Sequence, residues 1–291
     1  MRALITGGAG VVGKALCREL LARGVCVRVL TLPSDSMASS RVPSEVEIAY
    51  GDVTDYNSIR KAFDGVDVVF HLAAILLSTK QGEFERINTQ GTRNVISACQ
   101  DSGVHRLLYV SSISVTYPVL TPYGKSKLEG EACVKDSGLD WTIVRPTLVI
   151  GDGGGIEYNM YAQYVSKFPI YFLPGGGRAV KRPVRSVDLV QGIAVAGLKD
   201  SAIGETYALA GPESMTMAEM AKHILLERGQ RHVMLPLPWF ISRRLVVLKS
   251  WIGGERVSAE QALAGFLYDA NPSIENAEKD LGYRPKSPFL A

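Results

Sequence analysis

The stretch "RALITGGAGVVG" (Arg2–Gly13) decides the fold of this 291-residue chain. A short, mainly apolar run, Arg2–Thr6, enters a glycine-rich turn, and an apolar helix pattern begins where the turn ends. Gly7, Gly10 and Gly13 permit a tight turn, close approach of another group to the backbone, and close helix packing. A helix that starts there, at Val11 and Val12, presents free amides and a partial positive charge to a pyrophosphate. Glycine turns also arise for structural reasons alone, but the strand–turn–helix context strengthens the phosphate reading.

The same rhythm continues outward. Strands are expected at Val25–Thr31, Val46–Tyr50, Val66–Ala74, Arg106–Ser112 and Trp141–Ile150. Helices are expected near residues 56–63 and 83–102 and at "PYGKSKLE" (Pro122–Glu129). Strands rich in β-branched residues alternating with helices indicate an α/β protein with a doubly wound parallel sheet. After Ile150 glycine loops break the rhythm, and the remainder reads as helices with few strands, at Val187–Leu198, Met217–Gly229, Ser258–Tyr268 and Ser273–Leu281. "TYALA" (Thr206–Ala210) returns one strand to the sheet. The expected division is a dinucleotide-binding unit over 1–150, with 181–211 returning to it. Residues 151–180 and 212–291 form a smaller, mainly helical C-terminal lobe that roofs the crevice at the carboxyl ends of the strands.

Composition narrows the function. Apolar residues make up 46% and charged residues 21%, and a net charge of +3 with dispersed basic residues argues against nucleic-acid binding. Cys17, Cys26, Cys99 and Cys133 lie far apart without a CxxC pair or clustered histidines, which fits reduced thiols in a cytoplasmic protein and no metal site. The N-terminus has no signal-peptide layout, and no apolar run is long enough for an integral membrane segment. "LPLPWFISRRLVVLKSWIGG" (Leu235–Gly254) is broken by Arg243, Arg244 and Lys249 and reads as an amphipathic helix packed on its own protein, peripheral membrane contact being the lesser reading.

Tyr123 and Lys127 stand one helical turn apart, eleven residues after Ser112. A nearby ammonium favours the charged form of a phenol, so Lys127 is expected to ease proton exchange by Tyr123. Ser111 is the rival for the serine position, and strand phase favours Ser112. Asp52, after the third strand, offers an acceptor for an adenine amino group, its alternative being a helix N-cap role shared with Thr54 or Asp55. His71 has no base or metal partner nearby in sequence and reads as a satisfied strand-end residue.

With these motifs in view the chain resembles the short-chain dehydrogenase/reductase superfamily, in its extended or atypical branch of NAD(P)-dependent epimerases, dehydratases and reductases. The family's TGxxGxxG matches Thr6, Gly7, Gly10 and Gly13; its acidic adenine contact matches Asp52, followed by Val53; its small-residue stretch matches Leu72, Ala73 and Ala74. "INTQGTRN" carries the helix asparagine at Asn88. YxxxK falls on Tyr123 and Lys127, and the RP segment on Arg145, Pro146 and Gly151. "VRSVDLV" resembles the segment around Asp188, and "LGYRP" the usual tail. The resemblance implies a Rossmann fold and NAD(P). It makes Tyr123 the general acid/base, Lys127 a ribose ligand that lowers the tyrosine's pKa, and Ser112 the group that holds the reacting oxygen. Hydride transfer at a secondary alcohol or carbonyl follows, in a nucleotide-sugar epimerase-like or carbonyl-reductase-like reaction on a small molecule. Thr147, Tyr158 and Arg185 are the candidates to face that substrate, and a homodimer is the assembly considered.

Two departures from the pattern qualify this. Where many members carry an acidic residue for the ribose hydroxyls, the second strand ends in Thr31, followed by Ser34 and Ser36, with Arg41 further on. This slightly favours NADP over NAD. The serine-to-tyrosine segment, Ile113–Pro122, is short, as in members similar to an accessory subunit of respiratory complex I that bind a nucleotide without catalysis. The intact Ser112, Tyr123 and Lys127 argue for an enzyme.

Overall fold

The seven strands of the central sheet are β1 (Arg2–Thr6), β2 (Cys26–Thr31), β3 (Glu47–Tyr50), β4 (Val68–His71), β5 (Arg106–Val110), β6 (Asp140–Pro146) and Thr206–Leu209. The computed structural model describes residues 1–151, 155–245 and 259–289. All seven strands run parallel, in the order Thr206–Leu209, β6, β5, β4, β1, β2, β3. The strand order reverses between β1 and β4, where Thr6 pairs with His71. That switch point opens a crevice at the carboxyl ends of the strands.

Alternation along each strand divides the core into two layers. Ala3, Ile5, Val27 and Val29 face α1 (Val11–Ala22) and the helix Ser186–Leu198, packing on Leu16, Leu20, Leu189 and Ile193. Leu4, Leu30, Val69 and Leu107 face the other side, against Val95 and Cys99 of the helix Gly91–Asp101 and Val134 of the helix Pro122–Lys135. Both faces are covered, which explains why the strands read as unbroken apolar runs. A third cluster joins Val165, Tyr171, Leu173, Met220 and Ile224 in the C-terminal part of the chain.

The structure corrects three sequence expectations. Trp141–Ile150 is not one strand: β6 ends at Pro146, and Val149–Ile150 (β7) pairs with Val184–Arg185 instead. Beyond Ile150 the four expected helices form, but the chain carries more strands than expected. Besides the expected Thr206–Leu209 (β11), Ile170–Pro174 (β8), Val180–Lys181 (β9), Val184–Arg185 (β10), Met215–Thr216 (β12) and Val233–Leu237 (β13) are strands, and Ile156–Lys167 is a helix with no counterpart among the expected elements. Two-residue strands are too short to show any periodicity. Leu235 begins no helix either. It lies in β13, parallel to β8, and a helix starts after Pro238 at residue 239 and is described to 245; residues 246–254 of that expectation lie outside the described residues. The helix near 83–102 forms, but Glu85–Gln90 has π-helical geometry.

Candidate active site at the sheet switch point

Gly7 has φ 72°, in the left-handed region, and a Cβ there would lie 2.9 Å from the backbone nitrogen of Ala73. At Gly13 a Cβ would come within 2.4 Å of the Gly7 carbonyl oxygen, so the third glycine lets α1 pack on the turn. Gly10 differs. Only the Gly7 oxygen, at 3.1 Å, is near its missing side chain, and the space beyond is open. No side chain caps α1 and no acidic residue occupies its first turn. The turn therefore fits a dinucleotide pyrophosphate: Val11 and Val12 lead the helix at an uncapped, electropositive end beside an open approach.

Asn88 is buried and holds the neighbouring wall together. Its Oδ1 accepts from the Ile75 amide at 2.9 Å, and its Nδ2 donates to the Ile75 carbonyl and to Ser126 Oγ at 3.1 and 3.0 Å. It thus links the segment leaving β4, with Leu72, Ala73 and Ala74, to the helix bearing Tyr123. Asp52 Oδ1 accepts from the Thr54 amide at 2.8 Å, a local turn, while Asp55 caps the next helix and Val53 is buried. His71 is fully buried between Thr6 and Thr92, 2.6 and 3.0 Å from their hydroxyls, and burial pulls its pKa down to about 3. It is the satisfied strand-end residue expected.

Thr121 caps the helix Pro122–Lys135, its hydroxyl accepting from the Gly124 amide at 3.0 Å, and Pro122 supplies a preformed first-turn φ. This fixes Tyr123 in the first turn. Ser112 follows β5 in extended conformation, its Oγ accepting from the Ser114 amide and hydroxyl at 3.2 and 3.0 Å. The first turn of the Tyr123 helix packs on the turn that Ser112 opens, a Cβ at Gly124 lying 3.0 Å from the Ser114 carbonyl oxygen, so serine and phenol share one corner of the site. The rival Ser111 has a buried hydroxyl with no hydrogen-bond partner among the described residues.

Lys127 is 1% exposed, and its Nζ stands over the ring of Tyr109, 4.1 Å from the centroid. Burial lowers its pKa to about 7, opposed by Glu131. The expectation that Lys127 depresses the Tyr123 pKa needs correction. The phenol is raised above its ordinary value, first by burial and then by Glu157, with Ser112 acting downward and Tyr117 upward. The lysine's charge is spent on Tyr109 and Glu131 instead.

Several neighbours had no sequence signal. Glu131, 1% exposed, grips Arg145 through two bonds of 2.8 and 2.6 Å, continuing the charge chain from Lys127 to β6. Lys181, nearly buried, donates to the Tyr268 carbonyl at 2.7 Å and lies 3.4 Å from the Tyr117 hydroxyl. Burial brings it to about 8, with Glu157 and Asp269 opposing. Glu157 is exposed in the first turn of the helix Ile156–Lys167, and its carboxyl is pushed up by the surrounding protein against the pull of Lys181.

The candidate substrate residues spread out. Thr147 gives its hydroxyl to the Arg182 carbonyl at 2.5 Å, just past Pro146 at the end of β6. Burial raises Tyr158, whose charged neighbours are Glu227 and Arg228. Arg185 is held by both oxygens of Asp188, at 2.8 and 2.9 Å. At the end of β2, Thr31 Oγ1 lies 3.3 Å from Asp35 Oδ2, which also pairs with Arg41. A carboxylate is therefore present beside Thr31 in space, although not at the strand end in sequence.

The chain matches the family model described as NAD(P)H-binding over residues 7–166. It belongs to that NAD(P)H-binding family. It is 30% identical to a "3 beta-hydroxysteroid dehydrogenase/Delta 5-->4-isomerase" of Mycobacterium tuberculosis, the match covering 98% of this chain and 86% of that one. It is 28% identical to a "2-alkyl-3-oxoalkanoate reductase" of Stenotrophomonas maltophilia, over 98% and 95%. Its fold is similar to that of the UDP-glucose 4-epimerase of Thermus thermophilus in complex with NAD, with TM-score 0.76, 24% identity, and 99% and 95% coverage. The chain is thus, at the level of its family, an NAD(P)-dependent enzyme related to oxidoreductases. No helix among the described residues is long and apolar enough to cross a membrane.

Proposed function

We propose that the chain interconverts a secondary alcohol and a ketone on a small molecule, in the manner of a carbonyl reductase or hydroxyl dehydrogenase. The observation that carries this reading is the placement of Ser112, just past β5, beside the capped first turn of the helix that bears Tyr123, at the open end of the sheet. The two relatives matched along nearly their whole length, by their names, act on a hydroxysteroid and an oxoalkanoate, which favours this over the nucleotide-sugar epimerase reading.

Tyr123 delivers or accepts the proton at the substrate oxygen, and Ser112 holds that oxygen beside the phenol. The chemistry supplied by a bound nicotinamide would be hydride exchange with the carbon bearing that oxygen. Gly7, Gly10, Val11, Val12 and Gly13 hold the pyrophosphate. Asp52 and Val53 flank the adenine, while Leu72, Ala73, Ala74 and Pro146 shape the wall and Asn88 braces it. Lys127, now over the Tyr109 ring, would hold the nicotinamide ribose. A raised phenol pKa keeps the proton on Tyr123 at neutral pH, which suits the reductive direction. Thr147 and Tyr158 line the substrate side; Arg185 reaches it only by leaving Asp188.

NADP is slightly favoured over NAD, because β2 ends in neutral Thr31 and Arg41 neutralises the Asp35 carboxylate beside it. Residues 1–150 with 181–211 form the cofactor unit and 151–180 with 212–291 the substrate lobe, in a cytoplasmic homodimer. The direct test supplies NADPH or NADH with oxoalkanoates and 3-oxosteroids, and NAD(P) with hydroxysteroids and UDP-sugars. It follows reduced cofactor spectroscopically and, for the sugars, product stereochemistry. Turnover confined to UDP-sugars overturns the proposal.

A further inference from the structure

The parallel pair β8–β13 presents one apolar face to solvent. Val233 pairs with Ile170 and Leu235 with Phe172, so these four side chains share a face of the two-stranded sheet. They are 57%, 52%, 40% and 47% exposed, while Tyr171 and Leu173 on the opposite face are buried in the third core cluster. The helix from residue 239 follows β13 directly and exposes Phe240 and Leu245, at 62% and 51%. More than half of the exposed large hydrophobics among the described residues fall in 156–172 and 226–245. Single exposed apolar residues need no explanation, but a paired, in-register strip does.

Charge tells what covers it. Over 156–174 and 226–245 the cations Lys167, Arg228, Arg231, Arg243 and Arg244 outnumber the carboxylates Glu157 and Glu227, and all seven residues are exposed. A second copy docked on the same strip by twofold symmetry would bring like charges together. An apolar strip fringed by cations matches the acyl–headgroup boundary of an anionic bilayer. We propose that this face docks the protein peripherally on an anionic lipid surface.

The test is flotation of the full-length protein with phosphatidylcholine vesicles, with and without phosphatidylglycerol, at low and at physiological salt. Binding is expected with the anionic vesicles, weakening as salt rises, and absent from phosphatidylcholine alone. Phe172→Asp should reduce it at least tenfold, and so should Lys167→Glu combined with Arg244→Glu, with cofactor affinity unchanged in both. Failure to float with anionic vesicles overturns the proposal, as does undiminished binding by both variants. A concentration-dependent dimer in sizing chromatography that Phe172→Asp dissolves, without vesicle binding, assigns the face to a second copy and overturns it too.

Discussion

The Nζ of Lys127 lies 4.1 Å from the centroid of the Tyr109 ring, both side chains being shut off from water. Gly130, one turn away, makes room for that ring: a Cβ there would lie 2.2 Å from the Tyr109 hydroxyl. A cation so placed is partly compensated by the ring's negative face and by Glu131, but burial still dominates and lowers the lysine to about 7.

Lys127 therefore links stability to pH in the cofactor-free protein. Unfolded, it keeps its proton up to the ordinary value of 10.5; folded, it releases it near 7. Between these values the unfolded chain binds more protons, so this site's contribution to stability rises with pH across that window, at up to about 1.4 kcal/mol per pH unit. Below about pH 7 its penalty is complete. Lys127→Met should flatten the rise in urea midpoints from about pH 7 to about pH 10, and an unaltered profile refutes the assignment.

Gly10→Val should leave the fold intact, because its added carbon meets only one carbonyl oxygen, yet abolish dinucleotide binding by filling the open approach. Gly13→Ala makes the contrast. Its Cβ would collide with backbone at 2.4 and 2.5 Å, costing about 1–3 kcal/mol of stability by overpacking. Calorimetric titration with NAD and NADP, beside thermal melts, separates the two effects; unchanged affinity in the first variant removes the cofactor site from this turn.

Tyr123→Phe keeps the ring and its edge contact with Phe84, at 6.3 Å between centroids, and loses only the transferable proton. Turnover on the substrate found should fall by roughly 10²–10⁴-fold with cofactor affinity largely kept. Undiminished turnover shifts the proton to another group. Cofactor binding by the wild type with no turnover on any carbonyl compound or sugar nucleotide would favour a binding module.

Cofactor choice turns on Asp35. Asp35→Asn removes the charge that Arg41 and Thr31 share, freeing the guanidinium for a 2′-phosphate. The ratio of NADP to NAD affinity should rise by about tenfold, equivalent to about 1.4 kcal/mol. Thr31→Asp should move the ratio toward NAD by one to two decades, order of magnitude, through repulsion of a phosphate. Dissociation constants at fixed ionic strength check both, and a ratio indifferent to either places the adenosine ribose elsewhere.

Breaking the Glu131–Arg145 pair should cost stability. Glu131→Gln leaves the Arg145 guanidinium half-buried without its bidentate partner, and about 3–5 kcal/mol is the usual loss when one member of a buried pair is removed. Denaturant unfolding measures it; a loss below about 1 kcal/mol would mean that the pair is solvated in solution.

The legible part of the fold was the part with local periodicity. β1 to β5 and the helices over Val11–Ala22 and Pro122–Lys135 carry runs long enough to read, and the turn at Gly7 and the cap at Thr121 mark their ends. The two-residue strands β7, β9, β10 and β12 exist only through tertiary pairing and left no pattern. The site divides similarly. Ser112, Tyr123 and Lys127 are named by spacing and family likeness, whereas Tyr109, Glu131, Asp35 and Lys181 matter through contacts made across the fold. Tyr109 was the nearest to a signal, as a phenol inside the apolar strand "RLLYV".

β11 pairs with β6 sixty-odd positions after it, Thr206 standing opposite Ile143. During synthesis, the backbone hydrogen-bonding edge of β6 emerges well before the strand that seals it. A nascent chain paused between them presents an unsatisfied edge rich in Ile143 and Val144, the kind of template on which another chain can add a strand. Slow translation through residues 147–205 should therefore favour aggregation or chaperone capture, and an early stop in that interval should yield an insoluble fragment although most of the sheet has already been made.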